Sequence, residues 1–179
     1  MIKNLSLLSL LFVLTCSSLI AQEAQFPIVK GFGGIYEVPE ATERPDPSLE
    51  YKILIDLISG TETPENVNRY VDNVARLMNL HGLAGVPKDR LHVKVVVHGG
   101  AIFSILNNEK YQERFKVDNP NAPVFAALRE AGADILVCGQ SLIIRNLKKE
   151  DLVEGVEVAH SMLTTATTYV PQGYVMLRF

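Results

Sequence analysis

From Tyr51 onward the chain alternates short apolar runs with longer stretches whose apolar residues recur at helical spacing. Tyr51-Lys-Ile-Leu-Ile-Asp-Leu-Ile58 is one such run, bounded by Ser59-Gly60, and predicts a strand buried on both faces. Thr63 then offers an N-cap, Pro64 suits a first helical position, and Glu65 favours the positive helix end. Val67, Tyr70, Val71, Val74, Leu77 and Met78 share one helical face, and Gly82 ends the helix after His81. The pattern repeats with a β-branched strand from Leu91 to Val97, closing on His98-Gly99-Gly100, and a short apolar segment from Ala101 to Leu106. Residues 107–119 are polar and read as a mobile stretch. A helix follows near Pro120 or Pro123, carrying Val124, Phe125 and Leu128 up to Gly132. Ile135 to Val137 predicts a third strand leading into Cys138, then a short helix from about Gln140 to Asn146 and a turn over 148–152. Gly155 to Tyr169 reads as a helix through Val156, Ala159, Leu163 and Ala166, ended by Pro171, and Tyr174 to Phe179 reads as a last strand.

Strands alternating with helices imply βαβ units with right-handed crossovers. The expected fold class is therefore α/β, a three-layer α/β/α sandwich with a mainly parallel sheet covered on both faces. Ligands and reactive groups in such sheets collect at the carboxyl ends of the strands. Three elements fall there: Ser59-Gly-Thr-Glu62, His98-Gly-Gly100 and Cys138-Gly-Gln-Ser141.

Ahead of this domain (50–179) the pattern changes twice. Residues 22–49 hold Gly31-Phe-Gly-Gly34 and the prolines Pro39, Pro45 and Pro47 without sustained periodicity, and read as an extended arm or linker. Phe26, Ile28, Ile35 and Tyr36 could pack this arm onto the domain or onto a neighbouring subunit. Residues 1–21 read as a secretory signal peptide: Lys3 in the n-region, Leu5 to Leu14 as the apolar core, and Ser17-Ser18-Leu19-Ile20-Ala21 as a small-residue exit. Export to a periplasm or the exterior is the expectation. A lipoprotein site at Leu14-Thr15-Cys16 is the lesser reading, because threonine fits poorly before an acylated cysteine. No stretch is long enough to predict a membrane span.

Removal of the leader would leave about 158 residues, enough for one domain with its own core. The whole chain carries 17 Lys and Arg against 20 Asp and Glu, a formal net charge of −3, and has no basic tract. That balance argues against nucleic acid or anionic lipid as partners. Of 2 cysteines, Cys16 lies in the leader, so Cys138 would have no partner in its own chain and no internal disulfide framework is possible.

Cys138 is the leading candidate for chemistry. A thiol at a strand end beside the start of a helix meets unpaired N–H groups that favour thiolate over thiol. Gly139 permits close backbone approach and Ser141 can donate a hydrogen bond; reaction would require the sulfur to be partly exposed in a pocket. Against this stands the ordinary fate of a lone cysteine, burial as a small apolar side chain. His98 could deprotonate or orient the thiol if the two strand ends are neighbours, or serve only as a loop histidine. His81, His92 and His160 have no ligand spacing, so no metal site is expected, and no cofactor either. Gly99-Gly100 lacks the further glycines and lysine of a phosphate loop. Asp56 and Glu62 could pair for acid–base work, although Asp56 reads better as facing a crossover helix or ending a strand hydrogen bond. Thr164, Thr165, Thr167 and Thr168 give an unusual helix side, read as packing at a subunit contact.

Asn119-Pro-Asn121, Ala131-Gly-Ala-Asp134, Val137-Cys-Gly-Gln-Ser-Leu142, Leu152-Val-Glu-Gly-Val156, the closing Gly173-Tyr174 and His98-Gly99 together resemble the DsrE/DsrF-like family of sulfur-relay proteins, over about residues 51 to 179. The resemblance implies a compact α/β/α domain that assembles as a homotrimer or hexamer. It also implies that Cys138 carries sulfur as a persulfide; His98 and Ser141 are then the expected supporting groups, and a small sulfur donor or acceptor thiol the expected partner. The rival expectation is a non-catalytic exported binding or scaffold protein of the same fold, whose Cys138 is buried and inert.

Overall fold

The computed structural model describes residues 22–61 and 63–179. The leader residues, Cys16 and Glu62 therefore lie outside the described residues. Five strands form one parallel sheet in the order β4-β3-β2-β1-β5: β1 Tyr51–Leu57, β2 Leu91–Val97, β3 Asp134–Cys138, β4 Glu157–Ala159 and β5 Val175–Arg178. The helices are α1 Arg69–Leu83, α2 Asn108–Phe115, α3 Ala122–Glu130, α4 Gly139–Ile144 and α5 Met162–Tyr169. The α/β fold class is as expected.

Connection handedness explains how the layers are shared. The chain steps from β1 through β2 and β3 to β4 in one direction, then returns from β4 at one edge to β5 at the other. Right-handed crossovers in opposite directions must pass over opposite faces. Ile53, Ile55, Leu57, Val93, Val95, Val97, Ile135 and Val137 accordingly point into a large core with Val71, Val74 and Met78 of α1 and Val124, Phe125 and Leu128 of α3. The opposite face has a small core of Leu54, Val96, Cys138 and Met162, flanked by Ala166, Tyr169 and Tyr174. Both faces are covered, but unequally, and the thinly covered one carries the thiol.

Three local expectations change, and one segment left without an element gains one. The turn residues Thr63-Pro64-Glu65 do not open the first helix; α1 starts at Arg69, and Asn68 caps it by accepting the Tyr70 N–H at 2.9 Å. Asn68 is held there because its own N–H reaches Asn121 Oδ1 at 2.7 Å. The polar stretch 107–119 contains α2, capped by Asn107 and anchored by Tyr111, 1 % exposed. Ala101 to Leu106 is largely one 3-10 helix, Gly99–Ile105. The reading of one helix over 155–169 is wrong in its first part, which forms β4 before α5 begins behind its Ser161 cap.

Asn119 and Asn121 have structural work. Asn119 Nδ2 donates to the Ser104 and Leu106 carbonyls at 2.8 and 2.6 Å, and its Oδ1 accepts from the Asn121 N–H at 2.9 Å. This buried pair ties the start of α1 to the β2–α3 crossover.

The arm is fastened along α1. Asn79, fully buried, accepts from the Ile28 and Val29 N–H groups at 2.9 and 2.7 Å and donates to the Val29, Phe32 and Gly33 carbonyls. Val29 and Ile35 are 0 % exposed. Gly33 has φ +62°, and a Cβ there would sit 2.1 Å from the Arg76 nitrogen, so the arm's backbone lies directly on the helix. Phe26 and Tyr36 are less covered; Tyr36 is 47 % exposed. Among the described residues no helix is long and apolar enough to cross a membrane.

Candidate functional site

Cys138 is the last residue of β3 and immediately precedes α4. Alternation along the strand turns its side chain to the small-core face, beside Leu54, Val96 and Met162. It is 4 % exposed, so the expectation of a partly open thiol is overturned. The beginnings of α4 and α5 close over the sulfur: Ser141 from one, Ser161 and Met162 from the other. Gly139 makes that closure possible, since a Cβ on it would lie 2.9 Å from the Ala159 carbonyl oxygen of β4.

This enclosure is apolar below and polar above. Burial pushes the Cys138 thiol up, but the polar groups around it, the Met162 and Ser141 N–H groups and the Ser141 and Ser161 hydroxyls, together outweigh it. The net direction is downward from the ordinary value of 9.0. Such donors favour a negative sulfur over a neutral one. Ser161 also caps α5, its Oγ accepting from the Leu163 N–H at 3.2 Å. The local sequence signal for it, a serine just before a helix, is masked when the helix is begun at Gly155.

His98 lies one residue beyond the last β2–β3 register pair, Val97 opposite Val137, and so beside Cys138 at the sheet's carboxyl edge. The two strand ends are neighbours, as a thiol–imidazole partnership requires. The ring, however, turns the other way: His98 Nε2 hydrogen-bonds Asp56 Oδ1 on β1. Among the described residues no hydrogen bond joins His98 to Cys138. Asp56, 7 % exposed, pairs with no described carboxylate, and its carbonyl accepts the Phe179 N–H at 3.0 Å at the strand end. Its second carboxylate oxygen lies 3.5 Å from Arg178 Nε on β5.

The third strand-end element does other work. The Ser59 carbonyl accepts from Asn68 Nδ2 at 2.9 Å, supporting the α1 cap, and the Gly60 and Gly100 backbones pack against each other. The cavity they line with Phe103, Tyr111 and Phe115 is about 30 Å³, room for one water. His81 Nδ1 pairs with the Leu77 carbonyl at 2.9 Å, and its ring stands edge-on to Tyr51 at 4.6 Å. Among the described residues no three His, Cys, Asp or Glu side chains are grouped as metal ligands. The threonines of α5 turn their hydroxyls back onto their own helix, as Thr165 does to Ser161 at 2.9 Å and Thr168 to Thr164 at 2.7 Å.

Sheet, layers and enclosed thiol define the class: a small parallel α/β domain built around one strand-end cysteine. The chain belongs to the DsrE/DsrF-like family, whose profile it matches over residues 52–179. This family is associated with sulfur relay. Among solved structures it is similar to MTH1491 from Methanobacterium thermoautotrophicum, described as a protein of unknown function. That similarity has a TM-score of 0.53 and 17 % identity over 73 % of this chain and 100 % of the other. It is also similar to the ychN protein from E. coli, with a TM-score of 0.49 and 16 % identity over 72 % of this chain and 99 % of that one. No curated protein matches the chain in sequence.

Proposed function

We propose that this chain is an exported sulfur carrier that holds sulfane sulfur as a persulfide on Cys138. The single observation that carries the reading is the place of the sulfur at the end of β3, against the starts of α4 and α5, where the nearby N–H and hydroxyl donors outweigh burial and favour the anion. A thiolate attacks sulfane sulfur, and the same donors would stabilise the terminal sulfur of the persulfide that results. Ser141 is a hydroxyl support, and His98, beside the thiol at the strand ends, is the supporting acid–base group. Family membership supports the choice of sulfur over other nucleophilic chemistry. A small sulfur donor and an acceptor thiol are the partners of the reaction, and the chain itself assembles as a trimer or hexamer. Export by the leader, with 22–49 as an arm preceding the domain, completes the proposal.

Burial specifically favours a second reading. At 4 % exposure Cys138 could be an inert core residue of a binding or scaffold protein. Mass spectrometry of the folded protein after exposure to polysulfide decides between them. The carrier reading expects a gain of one sulfur atom on the peptide containing Cys138, reversed by a reducing thiol. A folded protein whose Cys138 gains no sulfur and resists small alkylating reagents would establish the inert reading.

A further inference from the structure

Four chemistry-bearing residues from four adjacent strands stand on one face at the carboxyl edge of the sheet: Cys138 of β3, His98 after β2, Asp56 of β1 and Arg178 of β5. The first two belong to the reading above; Asp56 does not. It is a carboxylate in a poorly solvated place, its side chain 10 % exposed, and burying one costs free energy unless it is paired. Its partners are His98 Nε2 at one oxygen and Arg178 Nε, at 3.5 Å, at the other. The imidazole is 19 % exposed, and its Nδ1 has no hydrogen-bond partner among the described residues. The nearest other cation on this face, Lys94, is already paired with Asp134 at 2.5 Å.

We propose that Asp56 is a positioning residue for sulfur transfer: it fixes the His98 ring through Nε2 so that Nδ1 exchanges a proton with the small thiol that brings or removes sulfur. The inference rests on the sulfur-carrier reading and assigns its proton path. In loading, the Cys138 thiolate attacks the outer sulfur of a hydropersulfide R–S–SH. A bond forms between Cys138 Sγ and that sulfur, the donor's S–S bond breaks, and its electron pair leaves with R–S, which takes the proton of the imidazolium. Cys138 sulfur is oxidised to the persulfide level and the donor sulfur is reduced to a thiol. Release runs in reverse: neutral His98 takes the proton of an acceptor thiol R′–SH, whose sulfur attacks the outer sulfur of the Cys138 persulfide. The Cys138 thiolate is then the leaving group, received among the polar groups of Ser141, Ser161 and Met162.

The choice of acceptor separates this role from a structural one. A thiol has a proton to lose, whereas sulfite at mildly alkaline pH attacks without one. Full-length protein is loaded with polysulfide, and the persulfide on Cys138 is timed by mass spectrometry as it passes to an alkyl thiol or to sulfite, at one fixed pH. Asp56→Asn is expected to slow release to the thiol by about tenfold or more while changing release to sulfite by less than about twofold, within what general base catalysis supplies. Asp56→Glu should recover most of the thiol rate. Equal slowing with both acceptors, or no slowing with either, overturns the inference. If Asp56→Asn does not fold, His98→Gln must give the same split between acceptors. A wild-type protein that never loads sulfur sinks the carrier reading and this inference with it. One that loads and releases normally, with an indifferent Asp56→Asn, sinks this inference alone.

Discussion

At the residue scale, opposed effects meet on one sulfur. Burial raises the Cys138 pKa and the nearby N–H and hydroxyl groups of Ser141, Ser161 and Met162 lower it, with the polar groups prevailing. Two measurements follow. Removing both hydroxyls by Ser141→Ala with Ser161→Ala should raise the midpoint of the ultraviolet thiolate titration by about one unit, since a hydrogen bond to a charged group is worth about 1.5–3 kcal/mol and one unit is about 1.4 kcal/mol. An unmoved midpoint would mean the hydroxyls do not face the sulfur. The second concerns stability. A thiol whose folded pKa lies below its unfolded one contributes stability that is fully present above the unfolded value and is lost as pH falls through the folded value. With the ordinary value at 9.0, the difference in urea midpoint between wild type and Cys138→Ala should grow in favour of wild type as pH rises toward 9.0. A difference constant with pH would show that the thiol does not ionise in the folded protein.

At the scale of elements, local pattern served where neighbours along the chain decide the structure, and failed where distant ones do. The apolar runs of β1, β2 and β3 and the stripe of α3 are plain in the sequence, because each is buried by its own repeated side chains. The start of α1 was not, since Asn68 wins over Thr63 through Asn121, a partner 53 residues away. The strand β4 was hidden because its 3 residues pair only with β3 and share their spacing with a helix. Cys138, His98 and Ser141 were legible as strand-end residues, but Ser161 and Asp56 were not; their roles depend on which helix start and which strand end lie alongside. The arm shows the same limit, for nothing local marks Asn79 as its anchor. Asn79→Leu leaves two N–H groups and three carbonyls of the arm without partners, and buried groups so orphaned cost about 1–3 kcal/mol each where water cannot reach them. Partial relaxation of the arm should hold the loss to about 3 kcal/mol in urea unfolding, with faster proteolysis between residues 26 and 45. Unchanged proteolysis would mean that the arm is held by Val29 and Ile35 alone.

At the scale of the whole molecule, exposed apolar residues gather along the β4 edge of the sheet, on both sides of the strand end that carries the thiol. Ile143 and Ile144 on α4 are 73 % and 79 % exposed, Val158 on the edge strand β4 is 45 % exposed, and Leu163 on α5 is 77 % exposed. All four belong to elements at the β4 edge, where α4 and α5 begin over Cys138. Single exposed apolar residues are ordinary, but four on adjoining elements mark a surface suited to contact. The α5 threonines add to it: with their hydroxyls bonded to the helix's own carbonyls, their methyl groups are left as the outward chemistry. If the proposed self-assembly uses this side, a charge placed there should dissolve it without disturbing either core. Ile144→Glu and Leu163→Glu together should convert a trimer or hexamer into a monomer by light scattering at micromolar concentration, with little change in the thermal midpoint of the monomeric fold. The same pair of changes should speed alkylation of Cys138, because a subunit seated over the starts of α4 and α5 would add to the cover that Ser141 and Ser161 give the thiol. Dissociation with unaltered alkylation would place the assembly surface elsewhere than over the thiol. A wild-type mass already equal to one chain would remove assembly from the proposal and leave the enclosure of Cys138 entirely to α4 and α5.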